Sequence, residues 1–300
     1  MFVARYRKIF FALSIFITLA AIGAMIVFGF NIGIDFKGGS LLEVSYGDVK
    51  TDSGLALVRP TLESVQQKIN GLGLGGYSVR PSSEDHFIVR TREISPAEKR
   101  DVLTALSVDG VAPTEERFNS IGPVVGKELR NKAFVAIVVV IIAIVLFVTF
   151  AFRKVSEPVS SWKYGFVTIL ALVHDVIVPT GAFIAFAHFF GGEIDVLFVT
   201  AILAILGYSV HDTIVVFDRV RENLRVNKES HIEEHFETTV GKSVNQTFTR
   251  SINTSLTIFI VLAVLYFMGG AVTKNFSFLL LVGVIIGTYS SIFLASPLLI

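Results

Sequence analysis

Six stretches of roughly 20 residues in this chain carry almost no charge, and each is long enough to cross a hydrocarbon core of about 30 Å. They fall at about 9–30, 132–152, 164–190, 195–217, 252–270 and 276–298. A backbone in lipid must satisfy its own polar groups, so these runs can only be helices. The constraint fixes the class as a polytopic α-helical membrane protein with six transmembrane helices. A hydrophobic fraction of 52% and a mean hydropathy of +0.68 agree. The net charge of +1 gives no sign of nucleic-acid binding, and the absence of cysteine excludes disulfides and thiol chemistry.

The first run is about 22 residues long, from Ile9 to Phe30, and follows Arg5, Arg7 and Lys8. It exceeds a signal-peptide core and ends without a small-residue cleavage site, so it reads as a retained span. Basic residues in short loops set the orientation. Arg5, Arg7 and Lys8, then Arg153, Lys154 and Lys163, then Arg219, Arg221, Arg225, Lys228, Lys242 and Arg250 lie on one side. Glu193, Asp195 and the lone Lys274 lie on the other. Glu157 and the acids of 218–237 carry little weight in this rule. Both termini are expected in the cytoplasm, with the polar stretch between the first two spans outside. The expected division is 1–30 for the N-terminal segment and first span, 31–130 for an extracytoplasmic domain, and 131–300 for the other spans with a cytoplasmic loop at 218–250.

The 31–130 segment reads as a small α+β domain. "SLLEVSY" (40–46), "YSVR" (77–80), "HFIVRTRE" (86–93) and "TEERFNSIG" (114–122) have strand character, the middle two joined by "PSSED". "PTLESVQQKIN" (60–70) reads as a helix with Pro60 in its first turn and Gly71 at its end. "SPAEKRDVLTALS" (95–107) carries a capping box of Ser95 and Glu98, with Pro96 at N1. The order β-α-β-β-α-β is the ferredoxin-like arrangement. "GKELRNKAF" (126–134) reads as an amphipathic lead into the second span, and a short separate helix is expected around 230–243.

Charges inside membrane spans are rare and cost about 2.5–3.5 kcal/mol at the bilayer centre on insertion scales. Asp212, beside His211, lies about 8 Å from the middle of the fourth span at 1.5 Å per residue. Its helix neighbours are Tyr208, Val215 and Val216. It reads as a carboxylate that binds and releases protons, or else as a hydrogen bond between helices. His174 and Asp175 repeat the His-Asp pair in the third span, near Pro179. There a titrating pair and a packing network stand on equal footing. Arg250 opens the fifth span, followed by Asn253, Thr254 and Thr257 along one helical face. Such a stripe is expected to point inward, with Arg250 as counter-ion for a carboxylate or as a basic residue at the helix end. Asp218 and Arg219 are expected in ion pairs with the Arg221–Glu222 region.

"GIDFKGGS" (33–40) places Gly33, Asp35, Phe36, Gly38 and Gly39 directly after the first span. It is only superficially like a phosphate-binding loop and reads as a tight helix-to-strand turn. No nucleophile elbow, zinc motif or dinucleotide fingerprint occurs, so no enzyme, metal site or cofactor is expected.

Four motifs together carry a resemblance: "GIDFKGGS", "IGPVVGKELRNKA", "LVHDVI" and "GYSVHDTIVVFDRVREN". In their order and spacing along essentially the whole chain, they resemble the SecF family of bacterial protein-export subunits, of the resistance-nodulation-division superfamily. The fourth motif is the most specific, and the first is shared with SecD. The chain departs from the family's pattern at its end, "SPLLI", which carries no basic tail. The resemblance implies a location in the bacterial inner membrane and a pairing with SecD. It also implies work beside the SecYEG channel and a YidC-type insertase, among membrane lipids, on a translocating preprotein. Proton motive force would drive the late steps, with the proton as coupling ion. In the family, the fourth-span carboxylate and an arginine at the start of the fifth span take part in the proton path, which match Asp212 and Arg250. His174, Asp175 and His211 are carried over as further members of that path. Two other classes stay open: a scaffold that steadies the channel without moving protons, and an exporter of small molecules or lipids. Acids on two spans of a six-helix bundle would be poorly shielded alone, which asks for a partner bundle.

Overall fold

The computed structural model describes residues 2–46, 60–82, 85–108, 111–152 and 160–300. Arg153, Lys154 and Glu157 of the second loop, and Ser83 and Glu84 of the hairpin turn, lie outside the described residues. The chain divides into two compact units, Met1–Asn31 with Phe134–Ile300, and Ile32–Ala133.

The smaller unit begins with a one-turn helix α3 (Ile34–Lys37) and strand β1 (Gly39–Ser45). Then follow α4 (Leu62–Asn70), β2 (Ser78–Pro81), β3 (His86–Thr91), α5 (Pro96–Leu106) and β4 (Thr114–Ile121). The four strands form one antiparallel sheet in the order β2-β3-β1-β4. Alternation places Leu42 and Val44 of β1 beside Val89 and Phe87 of β3. These apolar positions meet Val65 and Ile69 of α4 and Val102 and Leu106 of α5 in one buried cluster. Tyr46 is buried among them and donates its hydroxyl to the Leu106 carbonyl at 2.9 Å. Burial pushes its ionisation up to about 12.

Helix α4 starts later than its sequence suggests. Thr61 is the N-cap, accepting from the Ser64 N–H, and Pro60 stands before the helix. Helix α5 carries the full capping box, with Ser95 N donating to Glu98 Oε2 at 2.8 Å and Glu98 N to Ser95 Oγ at 3.3 Å. The Arg92 guanidinium, then the Ser95 donors, hold the Glu98 carboxyl down at about 2. Ser95→Ala should cost about 1 kcal/mol by removing the cap. Denaturation of this unit in the intact protein, with Ser95→Thr as the restoring variant, measures it.

The glycines of the 33–40 segment are fixed by space as well as by backbone angle. Gly38 (φ +77°) and Gly39 (φ +134°) lie where side chains are strained. A Cβ on Gly38 would stand 2.7 Å from Pro123 Cα, and one on Gly39 2.6 Å from the Thr91 carbonyl oxygen.

The larger unit holds α1 (Phe2–Arg5), α2 (Arg7–Phe28), the spanning part of α6 (Pro123–Ala151), α7 (Ser161–Phe190), α8 (Val196–Glu229), α9 (Phe236–Met268) and α10 (Ala271–Ser290). A π-helical turn at Ser291–Ala295 and the short α11 (Ser296–Leu298) complete it. Six of these helices are long and apolar enough to cross a membrane. Within their apolar windows, α7, α8 and α10 are 50%, 50% and 56% buried, against 11%, 6% and 11% for α2, α6 and α9. The bundle is therefore a central trio flanked by three outer helices. Its core is Leu172, Phe183, Ala201, Ile202, Ile205 and Leu279 with their neighbours. Small residues let backbones approach closely. A Cβ on Gly283 would fall 2.3 Å from Ile205 of α8, and one on Gly181 2.6 Å from the Ala21 backbone of α2.

The separate helix expected at 230–243 is absent. Helix α8 runs on to Glu229, the chain turns at 230–235, and residues from Phe236 onward belong to α9. Ion pairs Arg221–Asp218 (2.5 Å), Arg219–Glu222 (2.6 Å) and Arg225–Glu229 (3.5 Å) line the polar end of α8 at helical spacings. Cross-links from Asn223 to Ser243 (2.8 Å) and from Arg219 to Gln246 (2.6 Å) bind it to α9.

Candidate functional site

A hydroxyl in an apolar helix can bond the carbonyl four residues back, so serine and threonine enter membrane bundles at low cost. Helix α9 does this repeatedly. Ser243, Thr247 and Ser255 donate to the carbonyls of Thr239, Ser243 and Ser251 at 2.7–3.0 Å. Together with Ser251 they form a buried hydroxyl stripe. The larger polar stripe does not point inward as expected. Arg250, Asn253 and Thr257 are exposed and Thr254 is half-buried. Ser243, Thr247 and Ser255 can be buried because they satisfy themselves within their own helix; the longer polar groups turn out of the bundle.

Asp212 lies on the buried face of α8, 3% exposed. Its neighbour His211 faces outward. Ser251 of α9 stands beside Asp212. Yet among the described residues Asp212 Oδ2 and Ser251 Oγ have no hydrogen-bond partner, and neither Asp212 nor Arg250 joins an ion pair. A desolvated carboxylate oxygen left without a donor is unstable as a permanent charge. Above it, Tyr208 of α8 meets Ser255 at 2.6 Å and Thr288 of α10 at 3.3 Å, and Ser255 meets Thr288 at 2.6 Å.

The second carboxyl group is surrounded differently. Asp175 of α7 is fully buried. Its Oδ1 lies 2.8 Å from His174 Nδ1. Its Oδ2 accepts from Ser209 of α8 and from Ser290 of α10, the latter at 2.6 Å. Three spans thus meet on one carboxyl group. Ser209 sits one helical turn before Asp212, and its carbonyl accepts from Thr213, whose hydroxyl lies 3.0 Å from Ser291.

Of the residues the sequence singled out, the fold brings His174 and Asp175 together in the core and sets Asp212 against α9. His211 and Arg250 stand at the exposed side. Asp218 and Arg219 form ion pairs on the polar extension of α8. The partners Ser209, Ser251, Ser255, Thr288 and Ser290 were not singled out. The hydroxyl spacing 243-247-251-255 in α9 and the adjacent serines in "TYSSIF" were the available signals.

Comparison with known proteins shows what the chain as a whole resembles. A family profile described as protein export membrane protein SecD/SecF, C-terminal, matches residues 103–300, and one for the SecD/SecF GG motif matches residues 23–48. A protein translocase subunit SecF of Thermobaculum terrenum is 41% identical, over 99% of this chain and 92% of its own length. That of Anaerolinea thermophila is 36% identical, over 98% and 91%. A crystal structure of SecDF from Thermus thermophilus, a translocon-associated membrane protein, superposes with a TM-score of 0.80 at 29% identity over 98% of this chain. SecDF in a super-membrane-facing form gives 0.63 at 30% identity over 99% of this chain. This chain spans 37% of the length of either solved chain.

Proposed function

Because the chain belongs to the SecF family of protein translocase subunits, we propose that it pairs with a SecD-type partner and uses proton movement to promote late steps of preprotein translocation. It acts without enzymatic chemistry or a cofactor. The observation that carries this reading is Asp212, a buried carboxyl group on a membrane span with an oxygen that no donor among the described residues satisfies.

Asp212 takes up a proton when the path opens to the outer side and gives it up toward the cytoplasm. Arg250 supplies positive charge near the ionised carboxylate, and protonation removes that attraction. Loss of the attraction loosens the contact of α8 with α9 beside Asp212, while their polar ends stay braced. The rearrangement reaches the 32–133 unit through its two chain connections, at Asn31–Gly33 and along α6. The outward faces of Arg250, Asn253 and Thr257 fit a second bundle rather than lipid, since lipid offers them no partners. That bundle is the SecD-type partner, and the SecYEG channel and a YidC-type insertase are the further members of the assembly. The basic residues of 219–250 support an orientation with the termini in the cytoplasm and the α+β unit outside.

The test is export of a secreted reporter into membrane vesicles after ATP-driven pushing has been stopped. Vesicles with the assembled pair should respond to an imposed proton gradient, and vesicles lacking this chain should not. Arg250→Met should lower the response severalfold while leaving assembly intact. Equal export with and without the gradient in the wild type would leave the scaffold reading.

A further inference from the structure

The His174–Asp175 pair has a structure of its own, and it bears on the end of the sixth span. Asp175 Oδ2 accepts from two hydroxyls, Ser209 and Ser290, which suits an ionised carboxylate. Its surroundings suit a neutral one. It is fully buried, and among the described residues no lysine or arginine pairs with it. A buried charge without a counter-ion is expensive. The two demands conflict, and one proton on the pair decides between them.

The backbone around the pair is also loosened. Pro179 stands four residues after Asp175 and has no N–H to give the Asp175 carbonyl. On the facing helix, Ser290 is the last α-helical residue before the π-helical turn Ser291–Ala295. Such turns recur at functional sites. Ser290 has one hydroxyl proton and two acceptors in reach, Asp175 Oδ2 at 2.6 Å and the Gly287 carbonyl at 3.0 Å. The Gly287 carbonyl also accepts from Ser291 at 2.8 Å.

The geometry points to a second proton-binding site at His174–Asp175, separate from Asp212, whose occupancy selects the acceptor of the Ser290 hydroxyl and so sets the π-helical turn. With Asp175 ionised and His174 Nδ1–H donating to its Oδ1, Ser290 donates to Oδ2 and ties α10 to α7. With one proton added at Oδ2, the carboxyl group is itself a donor there and no longer needs the Ser290 proton. Ser290 then turns its proton to Gly287, and α10 is released from α7. No covalent bond other than the proton's own changes. His174 Nε2 is buried without a partner among the described residues and gives the site a further nitrogen for proton exchange.

The groups facing this site are few. Tyr289 of α10 has its ring centroid 6.3 Å from that of His174, and its hydroxyl lies 3.1 Å from Ser14 of α2. From α8 come Ser209 and, one turn further, Asp212, while His211 points away. The π-helical turn, SIFLA, brings no titratable group. On α2, Arg7 is paired with Glu237, and on α10, Lys274 lies over the Tyr266 ring. Ser209 is the bridge between the two carboxyl sites, bonding one through its side chain and standing a turn from the other. This inference rests on the reading that proton uptake drives the protein.

The experiment is infrared difference spectroscopy of the chain assembled with its partner subunit in liposomes, across a pH titration. Wild type should show two carboxyl protonation bands from the buried pair of sites. Asp212→Asn should remove one and Asp175→Asn the other. Ser290→Ala should keep the Asp175 band and shift its midpoint by about one pH unit, a tenfold change in proton affinity. A spectrum unchanged by Asp175→Asn overturns the second site and leaves the Asp212 reading standing. Loss of the Asp212 band alone from expectation overturns the proposed function instead. If Asp175→Asn does not assemble, Ser290→Ala decides, and an unmoved band counts against the proposal.

Discussion

Asp212→Asn is expected to abolish the gradient-dependent part of export while the assembled subunits remain intact. The amide matches the carboxyl group in size and cannot bind a proton. Asp212 is 3% exposed with one oxygen unsatisfied, so exchanging it for a neutral group removes a desolvation cost and leaves no orphaned counter-charge in an ion pair. One charge crossing 100 mV is worth about 2.3 kcal/mol, which biases a step by up to roughly 50-fold. The variant should lose that whole factor. The measurement is reporter export in vesicles with and without the gradient, with assembly checked by co-purification. A variant that keeps the gradient response shows that Asp212 holds helices together and carries no protons.

Gly181→Leu is expected to give the largest loss of stability. At Gly181 the backbone of α7 meets Ala21 of α2 so closely that a single added Cβ would stand 2.5 Å from the Ala21 Cβ. An isobutyl group has nowhere to go unless the helices separate. Overpacking of this kind costs about 1–3 kcal/mol in well-packed cores. Here it also pushes α2 off α7, leaving contacts such as Ser14–Tyr289 and Arg7–Glu237 to hold it. Thermal denaturation in detergent should show a clear fall in the midpoint, and proteolysis near residue 30 should quicken. Gly181→Ala should lie between. A wild-type midpoint for Gly181→Leu would mean that α2 is held by other contacts.

The membrane class and the domain topology were legible because each rests on a strong physical demand. Uncharged 20-residue runs have one solution in lipid, and the alternation of Leu42 and Val44 or Phe87 and Val89 has one in a half-buried sheet. The length of α8 was not legible. Hydropathy ends where Asp218 and Arg219 begin, but the helix persists through ion pairs at helical spacing that need no membrane. The inward face of α9 was misread for a related reason. Arg250 and Asn253 stand out in a sequence, whereas Ser243, Thr247, Ser251 and Ser255 do not, and it is the latter that a tightly packed helix can bury. The carboxyl groups themselves, Asp175 and Asp212, were plain because a charge in an apolar run has few explanations. Their hydroxyl partners were invisible, since serine is tolerated at almost any depth of a membrane helix.

The extension of α8 beyond its apolar part has a mechanical reading. From Asp212 to Glu229 the helix is about 26 Å long at 1.5 Å per residue. Its polar end is braced to α9 through Asn223, Asn227 and Arg219, and Lys242 ties Glu234 of the intervening turn to α9. Braced in this way, the pair would swing as one stiff beam if α8 tilted with the buried carboxyl group as pivot. A tilt of roughly 10° at that pivot sweeps the far tip by about 4.5 Å over that length. Displacements too small to register among close-packed side chains are thereby magnified into a stroke as wide as the spacing between neighbouring β-strands.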